Sequence, residues 1–408
     1  MKTCEPLLPG RRRVLAMLAA TALPSSILHA APEHTGRHAH GGAQYGTGAA
    51  VDADGRLWAV YRDVDNGATN LMLRISDDLG RSWSAPRALL AAPEPIAAGG
   101  DARPQIAFGP HGEIHVIYVM PIAPPHIGEI RYLRSTDGGR SFSAPITVHA
   151  DRQRVTHGFA SLLVDGRGRV IVAWIDGRDA AAAKAKGTPY AGSAVYYAVS
   201  RDHGARFDPE IALAEHSCEC CRIALACDAS GRAVALWRHV FDADLRDHAL
   251  ATIPDSGSAH MARASFDDWH VDACPHHGPA LAYTDDGTRH QVWFNGREDT
   301  GGLMYAALRS KGGTLKPQRL GAADAAHGDV ATHGRTVAIA WKELDGDGTA
   351  IRGRVSRDGG AVWRDLTLAR TAGDSDQPRL VAGSRGIVLV WRTQREGLRS
   401  VAFDEAAK

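Results

Sequence analysis

The chain has 408 residues, enough for one large repeat domain or two ordinary ones. Lys and Arg number 47 and Asp and Glu 46, a formal net charge of +1, so bulk electrostatics offers no attraction to nucleic acid or to a membrane surface. Glycine is frequent and no long amphipathic helical pattern runs through the chain, which points to an all-β fold.

Residues 1–31 read as an export signal and are set apart from the fold. Arg11-Arg12-Arg13 precede an apolar run over residues 14–22, and small residues for cleavage follow at Ala30 and Ala31. Arg12-Arg13-Val14-Leu15 is similar to a twin-arginine signal, which carries proteins already folded; an ordinary arginine-rich secretory signal is the alternative. The apolar stretch is short and interrupted by Pro24, so no membrane span is expected. Cys4 leaves with the signal. Cys218, Cys220, Cys221, Cys227 and Cys274 remain, and in an oxidising periplasmic or secreted setting disulfides are their default reading.

From about residue 44 one unit repeats. A short apolar strand is followed by a glycine turn, then by a second strand ending in an aromatic. A polar loop, a third strand, a turn and a fourth strand complete it. The second-strand aromatics are Tyr61, Tyr118, Trp174, Trp237, Trp293, Trp341 and Trp391, at intervals of roughly 50 to 63 residues. The turn before the fourth strand reads Ser-x-Asp-x-Gly-x-x-aromatic. It occurs at Ser76 to Trp83, Ser135 to Phe142, Ser200 to Phe207 and Ser356 to Trp363. Ser and Asp bond the turn's own amides and the ring plugs the hairpin. Unit four has lost this turn within 255–269, and unit five has lost its Asp at Ser310-Lys311-Gly312-Gly313. The expectation is a β-propeller of four-stranded antiparallel blades over residues 32–408, with seven blades favoured. Unit seven stops after its third strand, so a strand from residues 32–43 is expected to close the ring.

The four turns resemble the Asp boxes, or BNR repeats, of the sialidase (neuraminidase) superfamily, and the similarity covers nearly all of the chain after the signal. Sialidases of that family are six-bladed, so six blades is the alternative count. The resemblance implies an arginine cluster for a sugar carboxylate, an acid/base Asp and a Tyr nucleophile activated by a Glu. The family's Arg-Ile-Pro motif is absent, and Arg103-Pro104 is the nearest echo. Candidates for such a site are Asp101, Arg103, Arg62, Arg297, Arg392, Tyr305 and Glu298. None sits in an identifying motif.

Strand order places the starts of the first strands on one face with the ends of the second strands, opposite the Asp boxes. Aligning the first strands on Asp165, Asp228 and Asp285 puts His157, Cys220 and His277 eight residues earlier, with His327 in the like place in unit six. Around them fall Cys218, Cys221, Cys274, His276, and His38 and His40 of the closing strand. One reading is a metal site at the channel mouth, copper first and zinc second. The other is structural: a Cys218–Cys274 staple, a Cys220–Cys221 vicinal disulfide and His-Gly turns. Cys218-x-Cys220-Cys221 with the later Cys274-Pro275-x-x-Gly278-Pro279 is similar to a pattern in other secreted sialidase-like propellers.

Arg62, Arg178, Arg238, Arg297, Lys342 and Arg392 follow the second-strand aromatics on the same rim. They read either as a carboxylate-binding cluster or as caps of solvated loops. Residues 178–192 read as a flexible loop and a possible lid. Asp345-Gly346-Asp347-Gly348 reads as a hairpin turn rather than a calcium loop. The leading functional expectation is an exported binding or copper-handling protein. An exo-α-sialidase or related glycoside hydrolase is the alternative, and a protein-binding scaffold the second. The expected partner is a small molecule, glycan or metal ion on a monomer, at the face opposite the Asp boxes.

Overall fold

The computed structural model describes residues 45–99, 101–123, 126–242, 244–273, 275–309 and 313–406. The expected export signal, the expected closing strand with His38 and His40, Cys274 and residues 310–312 lie outside them.

The described residues fold into successive antiparallel groups. The first is β1–β4 (Thr47–Val51, Leu57–Asp65, Ala68–Ser76, Arg87–Ala88). The second is β5–β8 (Gln105–Phe108, Ile114–Ala123, Ile127–Ser135, Ile146–Thr147). The third, β9–β12, comprises His157–Val164, Val170–Asp176, Ser193–Ser200 and Ile211–Ser217. The fourth, β13–β16, comprises Ala224–Cys227, Ala233–Asp242, Leu245–Thr252 and Met261–Arg263. A single Ser217–His239 pairing joins the third and fourth groups into one sheet. The fifth group is β17–β20 (Ala280–Tyr283, Arg289–Asn295, Gly302–Leu308, Gln318–Leu320). The sixth is β21–β24 (Ala326–His333, Thr336–Asp345, Gly348–Ser356, Arg364–Thr371). The last, β25–β27 (Arg379–Gly383, Gly386–Thr393, Gly397–Ala402), has three strands. First strands pack beside one another in chain order, and β1 also packs against β25.

This arrangement follows from strands that are apolar on both faces. β10, VIVAWID, is buried along its whole length. Such a sheet must cover both sides, and its neighbours do so. Trp58 and Tyr118 of the first two groups share one core, and Leu57 and Val390 of the first and last share another. Several second-strand aromatics reach the rim with satisfied polar ends. Trp174 donates to Asp176 at 2.8 Å, Trp341 to Glu343 at 2.7 Å and Tyr118 to Glu94 at 2.6 Å.

The four Asp-box turns close as their residues dictate. In the second group Ser135 Oγ donates to Asp137 at 2.7 Å and accepts from the Gly139 amide at 2.9 Å. Asp137 takes the Ser141 amide at 3.0 Å. The glycine of each turn lies against a neighbouring group. A Cβ on Gly139 would meet Trp58 at 2.7 Å, and one on Gly204 would meet Tyr132 Oη at 1.8 Å. Gly80 of the first group abuts Ser400 of the last.

Two readings change. Residues 178–192 are not simply a loop: an α-helix, α1 (Arg178–Lys186), forms there and ends at Gly187 with φ 68°. The alanines at 180–183 favour helix, and Asp179 in the first turn with Lys184 and Lys186 in the last complement its dipole. The chain end also differs. Phe403 leaves the last strand and starts α2 (Phe403–Ala406), where it is buried in the core of the sixth and last groups. Residues 345–348 form the β22–β23 hairpin turn, as read. Among the described residues no helix is long and apolar enough to cross a membrane.

Candidate functional site

The starts of the first strands meet in one buried network. Asp101, just before β5, takes Arg222 Nη1 at 2.6 Å, the Arg222 amide at 3.2 Å and the Gly278 amide at 2.5 Å. Arg222, before β13, also donates to Gly328 O at 2.9 Å and to Gln377 Oε1 at 3.4 Å. Arg103 donates to Gln377 at 2.8 Å and to Thr47 O at 3.4 Å. Asp376 takes the Thr47 amide at 2.7 Å, and Asp329 takes the Leu380 amide at 2.8 Å and Arg379 Nη1 at 3.3 Å. Residues before or within β1, β5, β13, β17, β21 and β25 therefore converge, as strand order required.

Three arginines gather here, against three aspartates. Burial lowers the Arg103 pKa, Asp376 and Asp329 oppose that, and Arg222 and Arg379 add to it. Each aspartate also takes a backbone amide from another strand start: Asp101 that of Gly278, Asp376 that of Thr47 and Asp329 that of Leu380. The network is charge-balanced within itself and ties strand starts together. Arg222, Arg379, Asp329, Asp376 and Gln377 were not singled out from the sequence for chemistry. The signal lay at the quoted unit starts Cys221-Arg222-Ile223 and Gln377-Pro378-Arg379.

Beside this network Cys218, Cys220 and Cys221 are buried with Trp237, Phe159 and Ile223 in one apolar cluster. Cys218 Sγ lies 3.8 Å from Cys220 Sγ and 3.6 Å from Cys221 Sγ, and the three sulfurs fall within 4.8 Å of one another. In this structure Cys221 is a free thiol. Hydrogen bonding with Cys220 and Cys221, and then the Arg238 guanidinium, hold Cys218 well below the ordinary thiol pKa. Burial, with Cys218 adding, pushes Cys221 well above it. Arg238 is itself buried, donating to Phe294 O at 2.7 Å and His277 O at 3.2 Å and covering Trp269. Cys227 stands apart, pushed up to about 11 by burial.

The histidines divide. His277 stacks on His327 at 4.5 Å and on Phe294 at 4.2 Å. His157 faces Asp151 at 3.0 Å and Asp176 at 3.7 Å, donates from its other nitrogen to Gly128 O at 3.2 Å, and stacks on His149 at 3.9 Å. Among the described residues the compact sets of metal-ligating atoms are thus two: the three cysteines, and Asp151–His157–Asp176. Arg178 pairs with Asp176 at 2.8 Å and Glu210 at 2.9 Å, so the second set already holds a cation. The alignment also shifts by one residue. The turn equivalent to Asp165 and Asp228 starts at Thr284, not Asp285, because Thr284 N bonds Thr288 O as Asp165 N bonds Arg169 O. His276, rather than His277, therefore matches His157 and Cys220.

The remaining sialidase-type candidates do not assemble around one point. Arg297 is held by Asp299 at 2.9 Å, and Glu298 is exposed. Arg392 donates to Arg62 O at 2.6 Å and Asp63 at 3.2 Å and lies over Tyr61. Lys342 donates to Ser375 O at 3.1 Å. These rim cations act as loop caps. Tyr305 is buried, bonded to His290 at 2.8 Å, and lies 3.0 Å from the Cβ position of Gly360 in the next Asp box. It belongs to the Asp-box side of the sheet.

No protein-family model and no curated protein matches the chain. Solved structures do. The polysaccharide lyase Uly1 is 10% identical over 89% of this chain and 91% of its own, with a TM-score of 0.57. A polysaccharide lyase bound to -[GlcA(1-4)Rha3S]- is 11% identical over 88% and 94%, with a TM-score of 0.54. The α-L-arabinofuranosidase Arb93A from Fusarium graminearum, in a mutant form with an iminosugar inhibitor, is 13% identical over 77% and 93%, with a TM-score of 0.51. At these identities the likeness is one of fold: the chain shares the nearly all-β, propeller-like architecture of glycoside hydrolases and lyases.

Proposed function

We propose that this chain is an exported seven-bladed propeller that binds a soft metal ion, Cu(I) in preference to Zn(II), on Cys218, Cys220 and Cys221. The sulfur spacing carries the reading. Metal–sulfur bonds of about 2.3 Å put tetrahedral sulfurs about 3.8 Å apart and trigonal ones about 4.0 Å. The two spacings, 3.8 and 3.6 Å, lie near these values and far outside S–S bonding. Soft thiolates in a buried apolar shell favour Cu(I), and Arg238 offsets their charge. Cys274, also read from the sequence as a ligand, lies outside the described residues. Seven strand groups, with β1 packed on β25, support seven blades over six.

Anaerobic titration with Cu(I) against a chromophoric chelator tests this. One equivalent per chain is expected, with loss on Cys218→Ser or Cys221→Ser. A wild-type chain that takes no copper from the chelator overturns it.

A second reading is hydrolysis or binding of an acidic carbohydrate by Arg103, Arg222 and Arg379, of which Arg379 is 42% exposed. Asp101 and Asp329 already pair with Arg222 and Arg379, and Arg103 is spent on Gln377 and Thr47 O, which weighs against it. A fluorogenic sialoside and a uronate-containing polysaccharide are the assay substrates, and turnover of either would favour it.

A further inference from the structure

The cysteines are buried, so an ion bound there must arrive through something. Two histidines outside the thiol set lie close together. His126 precedes β7 and is exposed; His276 precedes β17 and is half-buried. Their ring centroids lie 6.1 Å apart with planes tilted by 53°. Metal–nitrogen bonds of about 2.0 Å on one ion put two imidazole centroids about 5 Å apart at a tetrahedral angle and about 6 Å when nearly linear. The observed separation falls at the open end of that range, the two-coordinate geometry that soft monovalent ions accept.

His126 has φ 57° and His276 φ 54°, the left-handed region that histidine enters more often than most residues. His126 packs on Phe159 at 5.2 Å, and Phe159 lies in the same apolar cluster as Cys218, Cys220 and Cys221. Phe159 shares the left-handed conformation, at φ 53°.

We propose that His126 and His276 form a surface station that captures a soft monovalent cation and hands it to the thiols. The transfer is ligand exchange. Two metal–nitrogen bonds break, metal–sulfur bonds form, the thiols release their protons to solvent, and no electron moves. The destination rests on the thiol reading above; the histidine station does not.

Silver(I), a redox-inert stand-in for Cu(I), is the probe. In Cys218→Ser/Cys220→Ser/Cys221→Ser one weaker equivalent should remain, shifting two histidine ring signals by NMR. His126→Asn, which tolerates the left-handed backbone, should weaken that site by about tenfold or more, as should His276→Asn. In the thiol-intact chain His126→Asn should slow loading of the thiols without changing the amount they finally hold. If the triple variant does not fold, the wild-type titration decides: a second, weaker equivalent is expected, absent in His126→Asn. No weaker equivalent, or one unmoved by His126→Asn, overturns the station. A histidine equivalent without a thiol equivalent keeps the station and overturns the thiol reading.

Discussion

Replacing Asp101 by alanine probes the buried network most sharply. The carboxylate is fully buried and takes three donors: the Arg222 guanidinium at 2.6 Å and the amides of Arg222 and Gly278. Removing it strands a guanidinium whose side chain is only 14% exposed, together with two amides. Breaking a buried pair from one side costs about 3–5 kcal/mol. Arg222 keeps Gly328 O and Gln377 Oε1, so the low end applies, about 3 kcal/mol. Asp101→Asn retains an acceptor and should cost about 1–2 kcal/mol. Urea unfolding followed by far-ultraviolet circular dichroism gives both values, and Asp101→Ala should lower Tm by about 4 °C. A cost within about 0.5 kcal/mol of zero for Asp101→Ala would refute the account of this network, since that is the ordinary range of a surface change. If Asp101 were instead a catalytic acid, Asp101→Asn would unfold like the wild type and lose an activity.

Tyr305→Phe should cost about 1 kcal/mol, for the hydrogen bond to His290, and leave any glycan turnover unchanged; lost turnover at full stability would return Tyr305 to the active face. Gly204→Ala should cost about 2–4 kcal/mol, because φ is 78° and a Cβ would sit 1.8 Å from Tyr132 Oη. Gly138→Ala, at φ 71° with nothing near, should cost about 1 kcal/mol. Equal thermal shifts for the two would contradict the packing of Asp boxes against neighbouring groups. Burial works to raise the Glu210 pKa but is outweighed by the amides of Ala150 and Asp151 and by Arg178, which hold it at about 2. A depressed carboxylate stabilises the fold above its unfolded pKa and loses that contribution as pH falls through the folded one. The wild type should therefore lose up to about 3 kcal/mol between roughly pH 5 and 2, and Glu210→Gln should flatten that stretch of the stability curve. Parallel curves would show that Glu210 is not held as described.

The repeat was legible because its markers are local. Trp174, Trp293 and Trp391 end strands buried on both sides, and the Ser135–Asp137–Gly139 turn closes through its own side chains. The site was legible only in part, because it is assembled across groups. Strand order brought the strand starts together, but aligning only His and Cys passed over Arg222 and Arg379 at the same starts. His157 was drawn into the thiol site by position, whereas its partners Asp151 and Asp176 come from a connecting loop and a strand end. The one-residue slip from Asp285 to Thr284 arose because a hydroxyl replaces the turn carboxylate there. Helix α1 hid behind a run of alanine that carries no amphipathic period and buries no residue.

The measurement closest to the central claim is elemental analysis with thiol titration on protein purified without chelator. The account predicts near-stoichiometric copper, or zinc in its place, with Cys218 and Cys221 protected until the metal is removed. Metal-free protein in which these two thiols react at once, or are oxidised, would contradict it.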